Sequence, residues 1–355
     1  MNDIRRSILW VVFGFSMILI WDKWQIHNGQ QPTFFPAPTA ATAPVATGTS
    51  AAPADASVPA ASAAAAAPGE APAGASAPAP VAQRVEIGTD VFQLTFNTEG
   101  GSLIGAQLLK HASGQLGTAP IQLLTQTPEH TYIAQSGLIG GAFPTHKTPM
   151  TLVAGPTALA DGQNELQVKF ESAEVGGVKL VKTYTLQRGS YVIGVRHEVL
   201  NIGAAAVSPQ LYVQLVRDGS TGASETPFYS TFTGPAVYTN EQKYQKLDFE
   251  KIADNKADFV KTSSDGYVAM VQHYFASAWL LAEGTARENF ARKVDSNLYS
   301  VGSISTLPAM APGQSQAVEA RLFVGPQDEH VLEATAPGLE LVKDYGWLTI
   351  IAKPL

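Results

Sequence analysis

Residues 90–97 read Asp90-Val-Phe-Gln-Leu-Thr-Phe-Asn97, and the pair Gly100-Gly101 follows shortly after. Phe92, Leu94 and Phe96 occupy alternate positions, with Gln93 and Thr95 between them. An extended chain turns successive side chains to opposite faces, so the three apolar residues share the buried side of a strand. The glycine pair then punctuates it. Working outward, strand candidates recur at 102–109, 165–172, 178–187, 191–201, 211–217, 267–272, 275–282, 298–304 and 317–324. Turn residues separate them, among them Asp161-Gly162, Gly176-Gly177, Arg188-Gly189, Asp265-Gly266, Glu283-Gly284 and Pro312-Gly313. About ten strands joined by short turns imply a mainly β fold, a large antiparallel sandwich rather than a βαβ arrangement. Helical patterns are few: residues 327–334 after Pro326, and a single turn at 249–253. Residues 136–157, rich in Gly, Pro and Thr, read as a long surface excursion.

Upstream of the strands the composition collapses. Residues 28–83 are dominated by Ala, Pro, Thr, Ser and Gly. A segment with so few large apolar side chains cannot offset the entropy of ordering, and its prolines interrupt any alanine helix. It reads as a disordered linker that tethers the next domain. Before it, residues 8–21 read Ile-Leu-Trp-Val-Val-Phe-Gly-Phe-Ser-Met-Ile-Leu-Ile-Trp, with no ionisable residue. As a helix this core is about 21 Å long, and extension over 7–24 brings it to about 27 Å, enough to span a ~30 Å hydrocarbon layer with snorkelling flanks. A cleaved signal peptide is the rival reading, but residues 21–27, which follow the apolar core, hold no small-x-small pair. Residues 1–27 are therefore expected to be an uncleaved transmembrane anchor. Trp10, Trp21 and Trp24 sit near its ends, where interfacial tryptophans belong. Arg5 and Arg6 precede it, and beyond Lys23 no Lys or Arg occurs until Arg84, which places the N-terminus in the cytoplasm and the rest outside. At the other end, residues 344–355 carry Tyr345, Trp347 and a run of aliphatics, too short to span and suited to an interfacial helix.

The totals exclude several classes. The chain has 355 residues, 15% charged and 45% hydrophobic, so it has the means to bury a sizeable core. Its net charge is −7, and residues 84–343 hold 19 basic against 25 acidic groups, a poor match for a nucleic-acid partner. The absence of cysteine rules out disulfides, thiolate nucleophiles and zinc-thiolate sites. The histidines, at 27, 111, 130, 146, 197, 273 and 330, are scattered without metal-ligand spacing. His197 shares its strand face with Tyr191, Ile193, Val195 and Val199 and reads as a hydrogen-bonded core histidine ahead of a catalytic one. His273 stands alone. Glu171 with Glu174, and Glu329 with Glu333, are read as solvated carboxylates, although a fold can assemble a pair that spacing does not show. No cofactor is expected. Phe228, Tyr229, Phe232, Tyr238 and Tyr244, interspersed with Pro227, Gly234 and Pro235, are the candidate cleft or partner surface; ordinary packing is the competing and weightier reading.

Several stretches converge on a known family. They are Met1-Asn-Asp-Ile-Arg-Arg-Ser-Ile-Leu-Trp10, Phe92-Gln-Leu-Thr-Phe-Asn-Thr-Glu-Gly-Gly101, Gly162-Gln-Asn-Glu-Leu-Gln-Val168 and Ile252-Ala-Asp-Asn255. Gly266-Tyr-Val-Ala-Met-Val-Gln-His-Tyr-Phe-Ala-Ser-Ala-Trp279 and Pro337-Gly-Leu-Glu-Leu-Val-Lys-Asp-Tyr-Gly-Trp347 are the most specific. In these the chain resembles the N-terminal half of the YidC-type membrane protein insertases of Gram-negative bacteria. The resemblance implies that residues 84–343 form a periplasmic β-supersandwich similar to galactose-mutarotase folds. It implies an inner-membrane insertase and chaperone, acting alone or with the Sec translocon, whose periplasmic domain touches an accessory translocon subunit. Nascent inner-membrane proteins and the lipid bilayer are the other implied partners. The family's hydrophilic groove with its positively charged residue would lie beyond Leu355, so no groove residue is assigned. The competing functional reading is a membrane-anchored sugar-binding or mutarotase-like enzyme, which needs a histidine and a carboxylate converging in one cleft.

Overall fold

The computed structural model describes residues 55–60, 82–112, 119–220 and 232–343; the expected anchor at 1–27 and interfacial helix at 344–355 lie outside them. The first strands are β1 (Arg84–Gly88), β2 (Phe92–Asn97), β3 (Ser102–Ala112), β4 (Pro120–Gln126), β5 (Thr131–Ile139) and β6 (Met150–Leu152). Then come β7 (Glu165–Ser172), β8 (Val178–Gln187), β9 (Val192–Asn201), β10 (Gln210–Asp218), β11 (Gly234–Thr239) and β12 (Lys243–Lys246). A one-turn helix α1 (Phe249–Ala253) precedes β13 (Thr262–Ser263), β14 (Tyr267–Gln272), β15 (Phe275–Leu281), β16 (Arg287–Asp295), β17 (Leu298–Thr306) and β18 (Ser315–Pro326). The described part closes with α2 (Glu329–Thr335) and a 3-10 helix (Leu339–Val342).

These strands form two nine-stranded sheets. Sheet one runs β1-β2-β3-β4-β5-β10-β17-β16-β13 and sheet two runs β12-β11-β14-β15-β18-β9-β8-β7-β6. The pairings between named strands are antiparallel, as the short turns require. Inward positions of both sheets join one apolar core. β2 behaves as its alternation predicts: Phe92, Leu94 and Phe96 are buried while Gln93 and Thr95 are half-buried. Phe96 reaches across to sheet two, its ring centroid 5.6 Å from Phe170 and 4.7 Å from Tyr184. The mainly β, antiparallel architecture is thus the expected one.

The differences have physical causes. β5 ends inside the stretch expected to be a surface excursion, and its residues 136–139 are buried between β4 and β10. Its small residues, which weaken the strand signal, make room for neighbours: a Cβ on Gly137 would strike the Tyr212 hydroxyl and the backbone of residues 145 and 146. β16, Arg-Glu-Asn-Phe-Ala-Arg-Lys-Val-Asp, was hidden by its charge, because much of its length is half-buried or exposed. β1, β4, β6, β11, β12 and β13 are further strands beyond those expected. The helical turn at Phe249–Ala253 falls where it was expected, and the later helix begins two residues further on, at Glu329, after Asp328 caps it by accepting the Val331 N–H at 3.2 Å.

Each sheet also has an outer face. Along β14, Val268 and Met270 point into the main core, whereas Tyr267, Ala269 and Val271 point outward to a second cluster. Leu332 of α2, Ala336, and Leu339 and Val342 of the 3-10 helix close that cluster. Along β10, Leu211, Val213 and Leu215 face the core and Tyr212 faces outward with Ile139 and Ile304. Among the described residues no helix is long and apolar enough to cross a membrane.

Candidate functional site

Polar groups cross the sandwich where the sequence places lysine, tyrosine and histidine on inward strand positions. Lys182 of β8 is fully buried, and its Nζ donates to Gly100 O and Ser136 O, each at 2.7 Å. Burial pushes its ammonium down to a pKa of about 7. The neighbouring Tyr184 hydroxyl donates to Gly101 O at 2.6 Å. Gly100 and Gly101 present these carbonyls from a left-handed turn (φ 69° and 57°), and a Cβ on Gly100 would run into the backbone of His146. His197 is buried, as its strand face leads one to expect, with Nε2 2.8 Å from Ser136 Oγ, but its Nδ1 is buried with no hydrogen-bond partner among the described residues, so the ring is only half satisfied. Burial, reinforced by Lys182, pushes its pKa down to about 3, so it is neutral. This seam joins the sheets through backbone carbonyls, and no carboxylate is bonded to Lys182, Tyr184 or His197 among the described residues.

The outer face of sheet one carries a second constellation, and it involves the linker. His146, in the connection between β5 and β6, is buried, with its Nδ1 2.5 Å from the Tyr212 hydroxyl. Its backbone N–H donates to the same hydroxyl at 3.0 Å. Its Nε2 lies 3.1 Å from Ser57 Oγ. Ser57 Oγ is also 2.6 Å from Asp55 Oδ1, a carboxylate that only accepts, so the serine proton goes to Asp55. The network therefore assigns the tautomer: His146 Nε2–H donates to Ser57, and Nδ1 accepts from Tyr212. Burial, with Lys147 and Lys182 adding to it, pushes the His146 pKa down to about 3 and keeps the ring neutral. The two Ser57 hydrogen bonds hold the Asp55 carboxyl below its ordinary range.

Three further donors converge on the backbone of the same segment. Gln214 Nε2 donates to Ser57 O at 3.1 Å, and Arg292 gives one terminal nitrogen to Ser57 O at 2.8 Å and the other to Val58 O at 3.0 Å. Arg292 is held in place by Ser300 Oγ (3.4 Å) and by the Phe290 ring, whose centroid is 5.3 Å from its guanidinium carbon. Val58 packs against Ile139, Tyr212, Ile304 and Phe290, and Pro59 is buried. Chemically this is a peptide clamp. The serine and histidine resemble a nucleophile and base, but the serine proton is committed to Asp55 and the histidine donates.

The residues picked from the sequence fall elsewhere. Tyr238 is buried and stacks on Tyr267 (centroids 5.1 Å apart, planes 8° apart), and Tyr244 pairs with it across β11 and β12. Phe232 is half-buried with Lys246 Nζ 5.1 Å above its ring. All three touch the cluster under α2, and the cavity beside Tyr238 is about 30 Å³, room for a water or two. Phe228 and Tyr229, like Arg5, Arg6, Trp10, Trp21, Trp24, Tyr345 and Trp347, lie outside the described residues. His130, which is exposed, lies 3.9 Å from the half-buried Asp218. Glu171 is paired with Lys169 (2.9 Å) and Lys179 (2.7 Å), which hold its carboxyl below its usual range. No cluster of His, Asp and Glu suited to a metal occurs among the described residues. The clamp was missed because it is built across 235 residues of sequence, from Ser57 to Arg292.

Residues 84–355 match the family described as the YidC periplasmic domain. The membrane protein insertase YidC of Burkholderia ambifaria is 50% identical over 99% of this chain and that of Burkholderia pseudomallei 54% identical over the same share. The chain spans 63% of the length of these relatives. Among solved structures it is similar to a galactose mutarotase related enzyme from Lactobacillus acidophilus (7% identity, TM-score 0.43, 68% of this chain and 97% of that one). A galactose mutarotase-like protein from Lactobacillus casei is similar at TM-score 0.39 (7% identity, 68% of this chain and 100% of that one). The chain belongs to the YidC periplasmic domain family.

Proposed function

We propose that this member of the YidC periplasmic domain family is the anchored, periplasmic part of a membrane protein insertase and chaperone. The observation that supports the reading most strongly is the family match over residues 84–355, together with relatives named as insertases at 50–54% identity along 99% of the chain. On this reading the chain is held in the cell inner membrane with its N-terminus cytoplasmic. Arg5, Arg6, Trp10, Trp21 and Trp24 seat the anchor, and Tyr345 with Trp347 returns the chain to the membrane surface. The domain binds partners rather than transforming a small molecule: the Sec translocon with its accessory subunits, and inner-membrane proteins as they are inserted and folded. The purified chain is expected to leave the rate of galactose anomer equilibration unchanged.

The surface assigned to the translocon subunit is the β12 edge of sheet two. Edge strands offer unpaired backbone groups to an extended partner, and here Tyr244 and Phe232 flank that edge with Tyr238 packed behind. Phe228 and Tyr229 precede it in sequence. A photo-cross-linker at Tyr244 in cells is expected to capture an accessory translocon subunit, while one at Tyr274, exposed on the β14 to β15 turn, is not. Equal capture from both positions, or capture confined to the linker, overturns the assignment.

A further inference from the structure

Residues 55–59 sit in the middle of a stretch whose composition offers almost nothing to bind. They are nevertheless gripped by groups from three separate parts of sheet one: His146 beside β5, Tyr212 and Gln214 on β10, and Arg292 on β16. The contacts have the character of ligand recognition. Two consecutive carbonyls, Ser57 O and Val58 O, receive the Arg292 fork, which charge assistance makes the strongest element. One hydroxyl is read by His146 Nε2–H. One branched apolar side chain, Val58, fills the space over Ile139, Tyr212 and Ile304. Within the segment, Ser57 N–H and Val58 N–H fold back on Asp55 at 2.8 Å and 3.0 Å, so the bound shape is a compact turn followed by the buried Pro59. Gln214 Nε2 is shared between Ser57 O at 3.1 Å and Gln135 Oε1 at 2.9 Å, so the amide that reads the segment is itself held by β5.

We propose that this cleft on sheet one is a peptide-binding site, that it recognises a short Asp-x-Ser-Val-Pro-type segment, and that residues 55–59 are its resident occupant, exchangeable with a like segment of another chain. A segment joined to the domain by the intervening linker is present at an effective concentration on the order of millimolar. A partner segment therefore gains the site only when it binds better or is itself held close. The site and its occupant rest on the contacts above and do not depend on the insertase role.

The test uses the whole chain in detergent micelles. Val58→Asp places a charge against Ile139 and Tyr212 and expels the occupant, and because residue 58 lies outside every strand the sandwich stays folded. A fluorescently labelled peptide of residues 54–60 is expected to bind the Val58→Asp chain at least tenfold more tightly than the unaltered chain. Adding Arg292→Gln to Val58→Asp is expected to weaken that binding at least fivefold. No saturable binding to Val58→Asp, or equal binding to both chains, overturns the proposal. Hydrogen exchange on the unaltered chain gives a readout that needs no variant. The Val58 amide is expected to exchange at least tenfold more slowly than in the free peptide, and exchange at the free-peptide rate overturns residency.

Discussion

Over sheet two, α2 and the 3-10 helix press Leu332, Leu339 and Val342 onto a floor of alanines and tyrosines, whereas over sheet one a few residues of linker are held by Arg292, Gln214 and His146 with Val58 as their apolar contact. The first cover contributes buried area. Its helices cannot leave without exposing much of the outer face of β11, β14 and β15, so it belongs to the cooperative fold. The second contributes direction, through hydrogen bonds with fixed geometry, and little area. Such a cover opens locally at a cost well below global unfolding. The same sandwich thus carries one permanent and one removable face.

Acid separates the two faces most strongly. His146 under the clamp and His197 in the seam are buried and neutral with pKa values near 3, against 6.5 for the free side chain. Their folded values lie below the unfolded one, so between about 6.5 and 3 the unfolded chain takes up the protons first. The stability they allow is complete above 6.5 and is lost as pH falls through that window, at roughly 1.4 kcal/mol per pH unit for each histidine. Urea midpoints measured from pH 7 to pH 4 are expected to drop steeply, and His197→Gln to reduce that slope by about half. Protonating His146 also removes the acceptor for the Tyr212 hydroxyl, so the clamp is expected to show faster amide exchange before the α2 side does.

The apolar cover is tested by Leu339→Ala. Leu339 is fully buried in the second cluster, and truncation of such a leucine costs about 2–5 kcal/mol. The whole unfolding transition is expected to shift to lower denaturant, with no separate early phase. A distinct early transition confined to α2 would show instead that the cover is removable too.

How far the sequence announced these features follows from the same contrast. β2 and β9 were legible because period two needs only neighbouring residues, and so was His197, whose strand companions Ile193, Val195 and Val199 are all buried. β5 was not legible. Its Ser136 and Gly137 are small because Lys182, His197 and Tyr212 need the space, a reason that lies on other strands. The clamp was illegible for a similar cause. Asp55 and Val58 are rare residue types in the linker, yet nothing local says that Arg292 waits for their carbonyls. The aromatic group around Tyr238 was visible, but stacking on Tyr267 and contact with α2 are tertiary facts.

Lys182 marks the seam that both faces share. Its pKa near 7, against 10.5 when unfolded, means that the unfolded chain binds its proton more readily between those values. Stability is therefore expected to rise as pH goes from 7 to 9, by about 2–3 kcal/mol at most, because deprotonation removes the cost of burying the charge. In Lys182→Met that rise should vanish. If the rise persists in the variant, another group is titrating and the seam lysine keeps its proton up to pH 9.

The smallest effect on stability is the most informative about the removable face. In Asp55→Asn the shape is kept, but the acceptor that takes both Ser57 protons, at 2.8 Å from N and 2.6 Å from Oγ, loses its charge. Charge-assisted hydrogen bonds become neutral ones, and the turn that presents Ser57 O and Val58 O to Arg292 is weakened. Because the donors come from the segment itself, the loss falls on local opening. Exchange of the Val58 amide is expected to rise severalfold while the global stability read from urea unfolding changes by less than about 0.5 kcal/mol, as for a surface substitution. The pH response has the same locality: the Asp55 carboxyl is held below its ordinary range, so the clamp is intact above that range and loosens as pH falls below it. Should Asp55→Asn depress the global midpoint as far as Leu339→Ala does, residues 55–59 would belong to the cooperative fold and the contrast between the faces would fail.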